Sequence, residues 1–171
     1  TRLYARAHKM ETVVLRLFNV YGPDQNASGG YSNVITRFIQ QAKEDRPFTI
    51  FGNGKQTRDF IHIDDACNAI IAALTKRIEP GIVINIGSGK ETAIIDVAQS
   101  IAKISGMPYK AEHKEPRSGD ILHSVADISM AKKHLGFEPK VSLEEGLRMT
   151  WDWFRNYKSG FLKNNTPPET S

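Results

Sequence analysis

Thr12-Val-Val-Leu-Arg-Leu-Phe18 decides the fold class. It is a β-branched and aliphatic run, stopped by Asn19, Gly22 and Pro23, and it reads as a strand buried on both faces, the signature of a parallel sheet. A second such run, Ile82-Val-Ile-Asn-Ile86, is closed by Gly87-Ser-Gly89 and followed by a helical pattern near Ile94–Ile104 that stops at Gly106 and Pro108. Two strands cannot cover both faces of a parallel sheet, so the pattern predicts neighbours beyond these residues. Upstream, Leu3, Tyr4, Ala7 and Met10 have helical spacing without an opening cap, like the tail of a helix begun before residue 1.

Between the two strands lie shorter elements. A polar, Gly-rich loop is expected over Asp24–Gly30. Val34, Ile35, Phe38, Ile39 and Ala42 predict an amphipathic helix over Asn33–Lys43. Phe48–Phe51 and Phe60–Ile63 read as short strands, the first closed by Gly52-Asn-Gly54. Asp64 is placed to cap a helix reaching about Lys76, with Ala66, Ala69, Ile70 and Ala73 inward and Cys67 as a small core residue. Tyr109–Ser124 reads as largely irregular. Ser129–Leu135 is a short helix ended by Gly136, and Ser142-Leu-Glu-Glu145 is a capping box opening a helix with core stripe Leu143, Leu147, Trp151 and Phe154. The fold class is therefore α/β: part of a parallel sheet plus a small mixed α/β lobe.

Composition narrows the function. With 40% hydrophobic and 25% charged residues, the chain is neither disordered nor membrane-like. No apolar run is long enough for a membrane span, and Thr1–Thr12 has no signal-peptide pattern, so a cytoplasmic location is expected. The net charge of +4 is too mild, and its Lys and Arg too scattered, to indicate nucleic acid. One cysteine excludes an internal disulfide and a Cys-based zinc cage.

Motifs that carry chemistry are few. Gly87-Ser-Gly89 sits where a dinucleotide fingerprint would, but Thr92 stands in place of the third glycine, and a tight strand-to-helix turn explains it. His62, Asp64 and Asp65 have no further ligands around them to make a metal site, so none is expected. Arg58 follows a Gly-rich turn and Arg117 lies in Glu115-Pro-Arg-Ser-Gly-Asp120. Each is either a fork for phosphate or carboxylate or a salt-bridged surface arginine. Asp120 is either a turn residue or an acceptor for ligand hydroxyls.

Five strings in order carry a resemblance: Leu15-Arg-Leu-Phe-Asn-Val-Tyr-Gly-Pro23, Phe51-Gly-Asn-Gly-Lys-Gln-Thr-Arg-Asp-Phe-Ile-His62, Ile84-Asn-Ile-Gly-Ser-Gly89, Pro116-Arg-Ser-Gly-Asp120 and Asp127-Ile-Ser-Met-Ala-Lys132. To about Asn156 the chain resembles the C-terminal half of extended short-chain dehydrogenases, the NAD-dependent nucleotide-sugar epimerases and dehydratases. The resemblance implies a Rossmann-type fold, with residues 1–157 as the substrate-binding lobe and the last sheet strands, and 158–171 as a polar tail. It implies a UDP-sugar substrate, NAD as cofactor, and a homodimer in the intact enzyme. Phe18 would line the nicotinamide end. Asn19, Asn33 and Val34 would touch the diphosphate, with Arg58 and Arg117 as its two arginines. Thr49 and Phe51 would lie along the uracil, and Asp120 would accept from the ribose.

The family's cofactor loop and catalytic Tyr-x-x-x-Lys are not matched. Tyr4, Tyr31 and Tyr157 are followed four residues later by His8, Ile35 and Phe161. No catalytic residue is therefore assigned, and the chain alone is expected to be inactive. Arg117-Ser-Gly-Asp-Ile-Leu-His123 resembles the 4-epimerase branch, in which a 4-keto sugar forms reversibly. A 4,6-dehydratase, or a non-catalytic nucleotide-sugar-binding protein, is the alternative.

Overall fold

The structure, a computed structural model, describes residues 2–25 and 33–156. The Gly-rich loop is therefore described only to Gln25, and the polar tail lies outside the described residues. Helix α1 (Arg2–His8) leads into β1 (Val13–Leu17), and the chain bends at Phe18 into β2 (Asn19–Tyr21). Then follow α2 (Val34–Lys43), β3 (Phe48–Phe51), β4 (Thr57–Arg58), β5 (Phe60–His62) and α3 (Ile63–Thr75). The rest is β6 (Ile82–Ile86), β7 (Thr92–Ala93), α4 (Ile94–Ser105), β8 (Ala111–Lys114), α5 (Ser129–Leu135) and α6 (Leu143–Asn156).

The two aliphatic runs pair with each other. β1 and β6 are parallel, with Val13 opposite Ile82 and Leu17 opposite Ile86. Ile82, Ile84 and Ile86 are buried against α3 and α5, packing with Ile61, Ala69, Leu135 and Phe137. β1 itself is not enclosed: its residues are half-buried or exposed, and Leu17 is 45% exposed. Leu3, Tyr4 and Met10 are exposed as well, so their helical stripe faces away from this core, and Ala5 is the buried residue of α1.

A second core joins α2, α4 and α6 to β3. Ile35, Phe38, Ile39, Phe48, Val97, Ile101 and Leu147 are fully buried there, and Trp151 lies at its edge. Gly136 and Gly106 end α5 and α4 in the left-handed conformation, at φ 57° and 76°. The Ser142 hydroxyl accepts from the Glu145 amide at 3.2 Å, one arm of the expected capping box.

Four expectations need correction. Helix α3 is capped by His62, whose Nδ1 accepts from the Asp64 amide at 3.3 Å; Asp64 itself lies exposed in the first turn. That start rotates the inward face onto Asp65, Ala66 and Ala69, leaving Ile70 and Cys67 exposed. Asp65 is buried because its carboxylate receives the Lys140 and Val141 amides at 2.9–3.1 Å, tying α3 to the entry of α6. Within the stretch expected to be irregular, Ala111–Lys114 is a strand parallel to β3, with Phe48 opposite Ala111 and Phe51 opposite Lys114.

α6 crosses over the buried Tyr21, whose hydroxyl donates to the Leu143 carbonyl at 3.4 Å. Burial, with Asp65 and Glu145 nearby, holds that hydroxyl un-ionised far above its ordinary range. Gly146 makes the crossing possible, because a methyl group there would overlap the Tyr21 ring and hydroxyl. Gly146→Ala is therefore expected to destabilise the protein by about 1–3 kcal/mol in chemical denaturation, although alanine is the better helix former by about 1 kcal/mol. A neutral or stabilising result would show that α6 shifts to make room.

Candidate functional site

The site begins with one buried carboxylate. Asp59, fully buried between β4 and β5, receives four donors. Ser88 N and Oγ each reach Oδ1 at 2.6 Å, and the Gly89 and Ala126 amides reach Oδ2 at 2.9 and 3.0 Å. Gly87 must lack a side chain, since a Cβ would lie 2.6 Å from Oδ2. The Gly87-Ser-Gly89 turn thus presents its amides to this carboxylate, and they are not available to a dinucleotide phosphate. The Asp59 carbonyl accepts from Asn19 N and Nδ2, at 3.1 and 3.0 Å, which fixes Asn19 at the bend between the two sheets.

Asn33 does a similar job for α2. Its Oδ1 accepts from the Ile35 amide at 3.1 Å as the N-cap, and its Nδ2 donates to the Val20 carbonyl at 2.9 Å. The helix start is thereby anchored on β2, facing a cleft of about 380 Å³. Across that cleft, Arg58 donates to the Ile121 carbonyl at 2.6 Å and forms an ion pair with Asp120. The Arg117 guanidinium lies 4.0 Å from the centroid of the Phe51 ring.

Of the residues singled out from sequence, Asn19, Asn33, Val34, Phe51, Arg58, Arg117 and Asp120 line this one cleft. Thr49 and Phe18 do not. The Thr49 amide donates to Gln41 Oε1 at 3.2 Å, its hydroxyl accepts from Gln41 Nε2 at 2.8 Å and its carbonyl from Arg37 at 3.4 Å, so it braces the wall from behind. Phe18 sits half-buried at the carboxyl end of β1, with its amide on the Ile86 carbonyl at 2.9 Å. Sequence reading missed Gln25, Gln56 and Arg37, which also line the cleft. Arg37 had a signal: it falls one helical turn after the cap Asn33, on the same face. Among the described residues, no group of three His, Cys, Asp or Glu side chains could hold a metal ion, and no helix is long and apolar enough to cross a membrane.

Residues 1–87 match the family model described as the NAD dependent epimerase/dehydratase family. The chain belongs to this family. It is 36% identical over 152 residues to a dTDP-L-rhamnose 4-epimerase of Burkholderia thailandensis, a match covering 89% of this chain and 42% of the relative. Its fold superposes on the crystal structure of UDP-glucose 4-epimerase from Thermotoga maritima with UDP-glucose at a TM-score of 0.85, with 37% identity, over 90% of this chain and 48% of that one. The UDP-glucuronic acid 4-epimerase of Bacillus cereus, solved with UDP-glucuronic acid and NAD, gives a TM-score of 0.82 and 38% identity over the same shares. These members are Rossmann-type enzymes of the nucleotide-sugar class, and the chain spans less than half the length of each.

If Asn33 anchors α2 at the cleft, Asn33→Ala should cost about 1–2 kcal/mol of stability by thermal or urea melting, and Asn33→Ser should recover part of it. Equal loss in both variants would show that the cap bond is not what the helix depends on.

Proposed function

We propose that the chain supplies the nucleotide-sugar-binding half of an NAD-dependent UDP-hexose 4-epimerase. The observation that carries the reading is convergence: Asn19, Arg58, Arg117 and Asp120 come from three separate segments and meet in one cleft beside a helix N-terminus. Such a start, with guanidiniums opposite it, suits a diphosphate. The solved relatives with UDP-glucose and UDP-glucuronic acid support uridine nucleotides as the ligand class.

In this reading Arg58 and Arg117 hold the diphosphate, and Asn19 donates toward it from the bend after β1. Asp120 keeps one oxygen on Arg58 and offers its remaining lone pairs to a ribose hydroxyl. Because these residues grip the nucleotide and leave the sugar free, the sugar can turn over between oxidation and reduction. NAD, when bound, would take hydride from the sugar and return it. Phe18 fits as an apolar wall for the nicotinamide, at the strand end where parallel sheets bind dinucleotides. The Gly87-Ser-Gly89 turn does not fit the cofactor phosphates, because Asp59 already occupies its amides. The catalytic base and most of the cofactor site belong, in this reading, to the other half of a longer enzyme that pairs as a homodimer.

Calorimetry with UDP and NAD tests the reading. UDP is expected to bind and NAD alone to give no heat, while Arg58→Ala and Arg117→Ala each weaken UDP about 10- to 100-fold. UDP binding untouched by either variant, or no UDP binding at all, would overturn it.

A further inference from the structure

Among the described residues, three arginines and one carboxylate line the cleft, and the carboxylate is already paired with Arg58. Among the described residues, Arg37 and Arg117 have no anionic partner in the cleft, and both lie beside the Phe51 ring. The Arg37 guanidinium carbon lies 5.4 Å from the Phe51 ring centroid and 5.6 Å from that of Phe38, and the Arg117 carbon lies 4.0 Å from Phe51. Burial and the nearby Arg117 charge both push Arg37 below the ordinary guanidinium range. One Arg37 nitrogen makes a long bond to the Thr49 carbonyl at 3.4 Å, while Nε is buried and has no hydrogen-bond partner. A buried charged donor left unmet is costly, and two like charges brought together add to the cost. Both are relieved by one event: an anion binding beside them in the cleft.

We infer that Arg37 is a third ligand-binding arginine, donating from its under-satisfied guanidinium to the diphosphate beside Arg117. This inference rests on the cleft being a nucleoside-diphosphate site and adds a residue to it. Excess positive charge in the cleft then matches the two negative charges of a nucleoside-diphosphate ester. Arg37 also lies on α2, one helical turn after the Asn33 cap and on the same face, so the helix start and the guanidinium present donors together. The Arg37 guanidinium already rests near the Phe51 and Phe38 rings, so little freedom is lost when the anion arrives.

Competition calorimetry on the chain with UDP and inorganic pyrophosphate separates this role from a merely structural one, because pyrophosphate carries neither base nor sugar. Arg37→Met keeps the stem on both rings and removes the charge. It should weaken UDP and pyrophosphate alike, each about 10- to 100-fold, with the melting temperature unchanged or raised. Arg37→Lys keeps the charge without the fork and should recover part of both. A loss confined to UDP would mean that Arg37 only shapes the wall behind the base, and would overturn the inference while leaving the site's ligand class intact. Unchanged affinities would overturn it in the same way. A wild-type chain that binds neither probe would remove the site reading itself, and this inference with it. Should Arg37→Met fail to fold, the Lys variant decides: equal losses for the two probes support the inference, and full affinity for pyrophosphate overturns it.

Discussion

The buried Asp59 carboxylate is the interaction on which the rest of the site depends. It draws together the turn after β6, the Ala126 amide and, through its own carbonyl, the Asn19 bend after β1. A carboxylate out of water is stable only when its lone pairs are filled, and four donors fill them here. Because Asp59 stands between Arg58 and Phe60, holding it fixes β4 and β5 against the sheet. Arg58 therefore projects into the cleft from a backbone that is pinned on both sides.

Electrostatics completes the arrangement. The cleft gathers positive charge from α2, β4 and the segment before Asp120, with one paired carboxylate to offset it. Arg37 and Arg117 both lie near the Phe51 ring, and Arg58 is paired with Asp120. Such a cleft is prepared for an anion before the anion arrives, which lowers the reorganisation that binding requires. Kinship with enzymes that act on nucleoside-diphosphate sugars agrees with this chemistry.

Much of this was legible in the sequence, and the failures have physical causes. Both long strands, the Asn33 helix and the Gly136 stop were readable because periodicity and end signals agree there. Strand Ala111–Lys114 was not, because Ala-Glu-His-Lys has no apolar alternation and pairs with β3 through its backbone. Asp64 looked like a cap because carboxylates cap helices, but the helix starts two residues earlier and His62 takes the role. That shift moved the inward face and exposed Cys67 and Ile70. Seven of the residues singled out line one cleft, because most of them lie in the motif strings that the fold brings together. Thr49 fell behind the wall because Gln41, eight residues earlier, occupies its amide and hydroxyl. The sequence does not announce Asp59 at all, since its role comes from donors 29 to 67 residues away.

Amide hydrogen exchange tests the central claim most directly. In the wild-type chain the Ser88, Gly89 and Ala126 amides should exchange slowly, and Asp59→Asn should accelerate all three together. An asparagine offers one acceptor oxygen where the carboxylate offers two. Solvent-like exchange at those amides in the wild type, or no change on substitution, would contradict the account.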